Sequence, residues 1–267
     1  TFPAYQKLCH LEGVRVREVA LDPTTGFAPD AQAVLRAVTD KTRLIALASP
    51  CNPTGRVWPA SELRALCEGL LALPSPPYLL SDEVYAELYF GEERPASPAQ
   101  FYPHTLVASS LSKSCALTGL RLGWLLAPTP AMKVMWKAHQ FVVSCVDTLA
   151  QRTALEIFAH PEILTKHRPH YLAQRDALAA SLRKQGLSFV EPDGSFYCLI
   201  RLPEPWTQRS MDAALHIMET ENVVTIPSSV FGMEGFLRVT FVAEPARIEE
   251  GVRRIRRALL GEAERAR

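Results

Sequence analysis

The chain has 267 residues, 48% of them hydrophobic and 21% charged, and a formal net charge of +1. That balance suits a globular protein of one large and one smaller domain. It argues against a nucleic-acid partner, because no basic run carries interleaved aromatics.

Val14 to Leu21 alternates apolar and polar residues, which predicts a strand near a sheet edge. Asp30 to Val38 has helical spacing, with Asp30 placed to cap it. Leu44 to Ala48 is a short apolar run and predicts a strand covered on both faces. A helix is predicted from Ser61 through Leu71, with Glu62 favourably placed in its first turn. Tyr78-Leu79-Leu80 leading into Ser81-Asp82-Glu83 predicts a buried strand, and Thr105 to Ala108 and Leu122 to Ala127 predict two more. Such alternation implies an α/β fold: a mostly parallel central sheet with helices on both faces. Ligands of these sheets sit outside the carboxyl ends of the strands. Asn52, Asp82 and Ser109-Ser110 each follow an apolar strand, so separate segments deliver polar groups to one edge.

Pro130 to His160 predicts one long helix broken at His160-Pro161, and Tyr171 to Lys184 a second that Gly186 closes. Phe196 to Ile200, Val223 to Ile226 and Phe236 to Phe241 predict strands, with a helix near Met211 to Glu219. This second block reads as a smaller α+β domain. The large domain is therefore placed at 1–145 and the small one at 146–267. The tail from Arg253-Arg254 to Arg267 also carries Glu262 and Glu264 and reads as a solvated helix end.

The six cysteines (Cys9, Cys51, Cys67, Cys115, Cys145 and Cys198) show no CxxC pair, which favours small buried thiols in a reducing compartment. The seven histidines have no metal-ligand spacing, and no metal site is expected. No apolar run is long enough for a bilayer and no leader pattern opens the chain, so no membrane partner is expected and a cytoplasmic location is the default. The opening on Thr1, without an initiator methionine, reads as the remainder of a longer protein.

The densest chemistry lies in Ser109-Ser110-Leu111-Ser112-Lys113 and Thr118-Gly119-Leu120-Arg121-Leu122-Gly123-Trp124. An amine that can condense with an aldehyde stands there beside hydroxyl and guanidinium groups that can hold a phosphate. That is the equipment for pyridoxal 5'-phosphate (PLP). Lys113 alone would read as an exposed loop lysine; its setting makes it the candidate Schiff-base residue. Ser110, Ser112 and Arg121 could bind the phosphate, and Gly119 and Gly123 could relieve crowding where backbone nears a ligand. Asp82 alone would read as a strand-end residue bonded to nearby backbone. With PLP it would keep the ring nitrogen protonated. Tyr85 could donate to the ring oxygen. Asn52-Pro53-Thr54-Gly55 is sufficient as a turn, yet Asn52 could offer its amide to the same oxygen. A catalytic Cys51 lacks a partner histidine. Arg238, within an alternating strand, is either a rim residue or a bidentate receptor for a carboxylate.

Together these residues resemble fold-type I PLP enzymes, specifically the class I/II aminotransferases. The resemblance rests on Pro3-Ala4-Tyr5, Asn52-Pro53-Thr54-Gly55, Asp82-Glu83-Val84-Tyr85, the Ser110 to Trp124 block, Gly194-Ser195-Phe196-Tyr197 and Arg238. It implies that Lys113 carries the cofactor, Asp82 pairs with its ring nitrogen, and Asn52 and Tyr85 contact its ring oxygen. It further implies that Ser110, Ser112 and Arg121 bind phosphate, that Tyr5 stacks on the ring, and that Arg238 and Asn52 bind substrate, Arg238 receiving its α-carboxylate. The expected reaction moves an amino group between an L-amino acid and a 2-oxo acid, in a homodimer when full length.

The family carries a further N-terminal stretch that completes the phosphate site, and this chain starts after it. Weak PLP binding, or none, is therefore expected. Pro227 is followed by Ser228 where the family often has Pro-Gly, which implies a local loop change. Aspartate-specific members use a second arginine, from the partner subunit, for the distal carboxylate, and none stands in the corresponding region around Ser144 to Thr148. Asp147 there would repel an acidic side chain, favouring neutral, aromatic or succinylated amino acids. Three alternatives remain: a PLP-dependent carbon–sulfur β-lyase, a non-catalytic PLP-sensing module of a regulator, and an inactive fragment.

Overall fold

The computed structural model of the protein describes residues 3–261. The apolar runs that end at Ala48, Asp82 and Ser110 become strands of one sheet. β1 (Leu44–Ala48), β2 (Tyr78–Asp82) and β3 (Thr105–Ser110) lie in parallel, and β4 (Gly123–Leu126) pairs antiparallel with β3. Register aligns Ala48 with Asp82 and Asp82 with Ala108, so the carboxyl ends share one edge.

Helix α1 (Ala4–Leu11) precedes the sheet, and α2 (Ala31–Ala37) and α3 (Ala60–Leu71) pack beside it. Asp30 caps α2 by accepting the Ala33 N–H at 2.8 Å. Glu62, in the first turn of α3, also accepts the Ala31 N–H at 2.8 Å and so ties α3 to α2. Ala31, Leu63, Leu66 and Leu70 then form a core with Leu47 and Leu79. Beyond β3 come the short α4 (Leu111–Ser114), then α5 (Thr129–Val142), α6 (Thr148–Ala159) and α7 (Glu162–Thr165).

The second sheet runs β5 (Phe189–Val190), β6 (Tyr197–Arg201), β8 (Phe236–Thr240), β7 (Ile226–Pro227), antiparallel throughout. α8 (Arg168–Lys184), α9 (Ser210–Glu221) and α10 (Pro245–Leu260) bury Leu182, Ile217 and Val252 against Ile200 and Leu237 of this sheet.

Several predicted elements differ. Val14 to Leu21 forms no strand; Val14 and Val16 are exposed, because alternation makes a strand only where a neighbour pairs with it. β1 is not covered on both faces: Leu44 and Ala46 are exposed while Leu47 and Ala48 are buried. The predicted helix from Pro130 to His160 is two helices. Val143 is extended, and the Asp147 carboxylate caps α6 by accepting the Leu149 and Ala150 N–H groups. The strand predicted at Val223 to Ile226 shrinks to Ile226–Pro227. Arg253 and Arg254 pair with Glu250 on α10, while residues 262–267 of the basic tail lie outside the described residues. All six cysteines are free, with Cys67, Cys115 and Cys198 buried and Cys145 exposed. Among the described residues no helix is long and apolar enough to cross a membrane. Nor is any cluster of His, Cys, Asp or Glu among them set to hold a metal.

The two sheets meet through backbone. The N–H groups of Asp193 and Gly194 both donate to the Gly55 carbonyl at 2.9 Å, and the Ser195 N–H donates to Leu88 O at 2.7 Å. A Cβ on Gly194 would stand 2.6 Å from Pro50 Cγ and 2.7 Å from Leu88 O. Gly194→Ala is therefore expected to lower unfolding free energy by about 1–3 kcal/mol, as overpacked cores do. Urea unfolding of the two proteins measures this; an unchanged midpoint would show that the seam yields freely.

Candidate active site

The shared strand edge opens into a cavity of about 340 Å³, lined by Ala48, Asn52, Asp82, Val84, Tyr85, Ala108, Ser109, Ser110, Lys113 and Tyr197. That size falls within the range of small-molecule sites. Five of the predicted site residues, Asn52, Asp82, Tyr85, Ser110 and Lys113, thus line one wall system.

Each is placed by local structure. Asp82 ends β2, where its Oδ1 accepts the Val84 N–H at 3.2 Å. Ser110 ends β3 and caps α4: its Oγ accepts the Ser112 N–H at 3.2 Å, which leaves its own hydrogen to donate. The single turn of α4 then brings Lys113 to the cavity, its ammonium 5.8 Å from the Phe196 ring centre. Asn52 sits in the turn after β1. Its Oδ1 accepts from Arg238 Nη1 at 2.7 Å, so its amide N–H₂ is the end that remains for a ligand. Arg238 comes from β8 of the other sheet. Its guanidinium lies 4.3 Å from the Tyr197 ring centre and 5.1 Å from that of Phe231, and its Nε is buried without a partner.

Burial and neighbouring groups keep the Tyr85 phenol protonated. Burial raises the Tyr85 pKa, Tyr197 and the nearby Asp82 charge raise it further, and Arg238 opposes them. Burial lowers that of Arg238, against the pull of Tyr197 and Tyr85.

Four predicted residues are not among the cavity residues: Arg238 meets them through Asn52 and Tyr197, and Tyr5, Ser112 and Arg121 are placed differently. Tyr5 does not line the cavity; its hydroxyl donates to Asp82 Oδ2 at 2.6 Å. Asp82 is half-buried, and this phenol supplies its carboxylate with a donor. Burial and then the bond to Asp82 raise the Tyr5 pKa. Ser112 lies beside the cavity wall, its carbonyl accepting from the Thr118 hydroxyl at 2.9 Å. Arg121 is exposed, in the left-handed region at φ +53°, and its Nη1 donates to Thr118 O at 3.0 Å. Gly123 is crowded as expected, since a Cβ would stand 2.9 Å from Ser109 O, but Gly119 faces open space. Asp147, spent on capping α6, is not among the cavity residues either.

Tyr197 lines the cavity although sequence reasoning assigned it no role. It receives the Tyr85 hydroxyl at 3.2 Å. Its signal was the Gly194-Ser195-Phe196-Tyr197 motif at the start of a strand.

These residues fit PLP. The donor set offers an amine for an aldehyde, a carboxylate for a ring nitrogen, an amide and a phenol for a ring oxygen, and a hydroxyl for a phosphate. The unpaired Arg238 Nε also fits a receptor for a substrate carboxylate beside that ring. A cavity at the carboxyl edge of parallel strands is where α/β proteins bind their ligands.

Comparison with known proteins agrees. The family model for aminotransferase class I and II matches residues 1–255. The putative aminotransferase YugH of Bacillus subtilis is 34% identical over 97% of this chain and 67% of its own length. The aspartate/prephenate aminotransferase of Thermus thermophilus is 32% identical over 96% of this chain and 66% of its own. The solved aromatic aminotransferase of Pyrococcus horikoshii superposes with a TM-score of 0.89 at 27% identity, covering 97% of this chain and 71% of that one. The chain belongs to the class I and II aminotransferases, a family of PLP-dependent transaminases, and spans about two thirds of the length of the curated relatives it matches.

Proposed function

We propose that this chain moves an amino group between an L-amino acid and a 2-oxo acid, with Lys113 as the covalent attachment point of PLP. One observation carries the reading: Lys113, Asp82, Asn52, Tyr85 and Ser110 converge on one cavity. When bound, PLP supplies an electron sink that stabilises negative charge at the substrate's Cα.

The chain's own residues do the rest. Lys113 Nζ would hold the cofactor and, as a free amine, would serve as general base for the substrate's Cα proton. Asp82 holds a proton on the ring nitrogen. The Asn52 amide and the Tyr85 hydroxyl would hold the ring oxygen, and the Ser110 hydroxyl the phosphate. Ser112 and Arg121 extend that cradle, Arg121 having given one donor to Thr118 O. Tyr5 supports the site through its bond to Asp82. Arg238, pinned by Asn52 and flanked by two aromatic rings, receives the α-carboxylate.

The proposed domain boundary at residues 145 and 146 leaves α5 with the first sheet and α6 with the small domain. Exposed Val134, Trp136, Phe141 and Val142 on α5 support pairing with a second copy.

The test combines the purified chain, PLP and borohydride with a screen of L-aspartate, L-phenylalanine and L-alanine against 2-oxoglutarate. Reduction is expected to leave the cofactor's mass on the Lys113 peptide, and each active donor to yield its oxo acid and glutamate in equal amounts. Pyruvate and ammonia released from a cysteine conjugate without an acceptor would replace this reading with a lyase. Labelling of other lysines instead of Lys113 would end it.

A further inference from the structure

Tyr197 touches two members of the site at once, and two different parts of its side chain do so. It is the first residue of β6, opposite Thr240, while Leu199 lies opposite Arg238. Side chains two apart on a strand share a face, so Tyr197 lies on the diagonal from Arg238 and can reach it. Its position is held from below. Ser195, at φ +65°, bonds Leu88 O through its N–H and accepts the Tyr197 N–H on its Oγ at 3.3 Å. Phe196 and Tyr85 pack edgewise against each other, with centroids 5.5 Å apart, and Tyr197 is only 8% exposed.

The ring and the hydroxyl have separate partners. The ring face lies under the Arg238 guanidinium at 4.3 Å, with Phe231 also close. Asn52 takes the Nη1 edge at 2.7 Å. What remains for a ligand is the Nε and Nη2 side, the fork that grips a carboxylate with two parallel bonds. The hydroxyl accepts from Tyr85 at 3.2 Å. Two hydroxyls so placed can reverse their bond by rotation alone. Tyr197 then donates to the Tyr85 oxygen, and Tyr85 turns its hydrogen to an acceptor in the cavity. No proton changes owner and no base is needed. A phenol that accepts a hydrogen bond is also a stronger donor.

We propose that Tyr197 is a positioning residue: its ring sets the Arg238 guanidinium for a carboxylate, and its hydroxyl frees and strengthens the Tyr85 donor for the cofactor's ring oxygen. This rests on the reading of the site given above.

Two measurements on the purified chain separate the parts. The first titrates cofactor-free protein with maleate, an unreactive dicarboxylate, and follows the Arg238 Nε–H signal by NMR. Tyr197→Phe, which keeps the ring, holds maleate affinity within about twofold, whereas Tyr197→Leu weakens it about threefold to tenfold. Tyr197→Met replaces the leucine variant if that one does not fold. The second titrates PLP and follows its absorbance. Tyr197→Phe weakens PLP about threefold to tenfold, and the loss disappears when Tyr85→Phe is already present.

A purely structural role for Tyr197 would lower thermal stability without this pattern. Equal losses of PLP affinity with and without the Tyr85 hydroxyl overturn the hydroxyl half. Full maleate affinity in the leucine or methionine variant overturns the ring half. If the parent chain shows no saturable PLP binding, the cofactor reading falls and takes the hydroxyl half with it. The maleate titration still decides the ring half.

Discussion

Lys113→Ala is expected to remove covalent PLP attachment and to cut amino transfer by roughly 10³-fold or more. Loss of a positioned general base alone costs about 10²–10⁴-fold, and the same amine is the proposed point of attachment. The fold should survive. Lys113 lies on a four-residue helix, and the contact of its ammonium with Phe196, at 5.8 Å, is worth about 0.5–1 kcal/mol. Turnover, borohydride labelling and thermal midpoint should be measured together on both proteins. A variant that keeps more than a tenth of the parent's turnover would remove Lys113 from the chemistry. A midpoint lowered by many degrees would make the residue structural instead.

Asp82→Asn should lower turnover by about 10–10³-fold while leaving stability near that of the parent. An opposite charge a few ångströms from a titrating group moves its pKa by about 1–3 units. Asparagine removes the charge and keeps the shape. Its carbonyl oxygen can still accept the Val84 N–H, now at 3.2 Å, and its amide can donate to the Tyr5 oxygen that now gives the 2.6 Å bond. The charge and the packing are thereby separated. The measurement is kcat against pH for both proteins, with urea unfolding alongside. Parent-like kcat across the pH range would show that Asp82 serves only to hold Tyr5.

Much of the site was legible because its polar residues follow directly on apolar strands. Asp82 ends Tyr78–Asp82 and Ser110 ends Thr105–Ser110. Parallel strands must end at the same edge, so adjacency along the chain became adjacency in space. The capping aspartate at Asp30 was legible for the same reason, since a cap acts within its own turn. Asp147 carried the same signal and was passed over, which is why one long helix was expected where two occur.

Other features depend on partners that local pattern cannot name. Val14 to Leu21 alternates as a strand would but finds no neighbour to pair with. Arg121 stands in the expected motif, but its left-handed backbone and its bond to Thr118 O are not written in the spacing. Tyr5 reaches Asp82 across 77 residues, and Arg238 reaches Asn52 across 186.

Local order along the chain was therefore enough to define the fold class, the strand edge and the lysine, acid and hydroxyl set, because each is a short-range consequence of residue type. The grip of Tyr197 on Arg238 and Tyr85, the bond from Asn52 to Arg238 and the placing of Arg121 came only with the folded chain. They are contacts between distant segments, and strand register with side-chain packing, not sequence spacing, selects them.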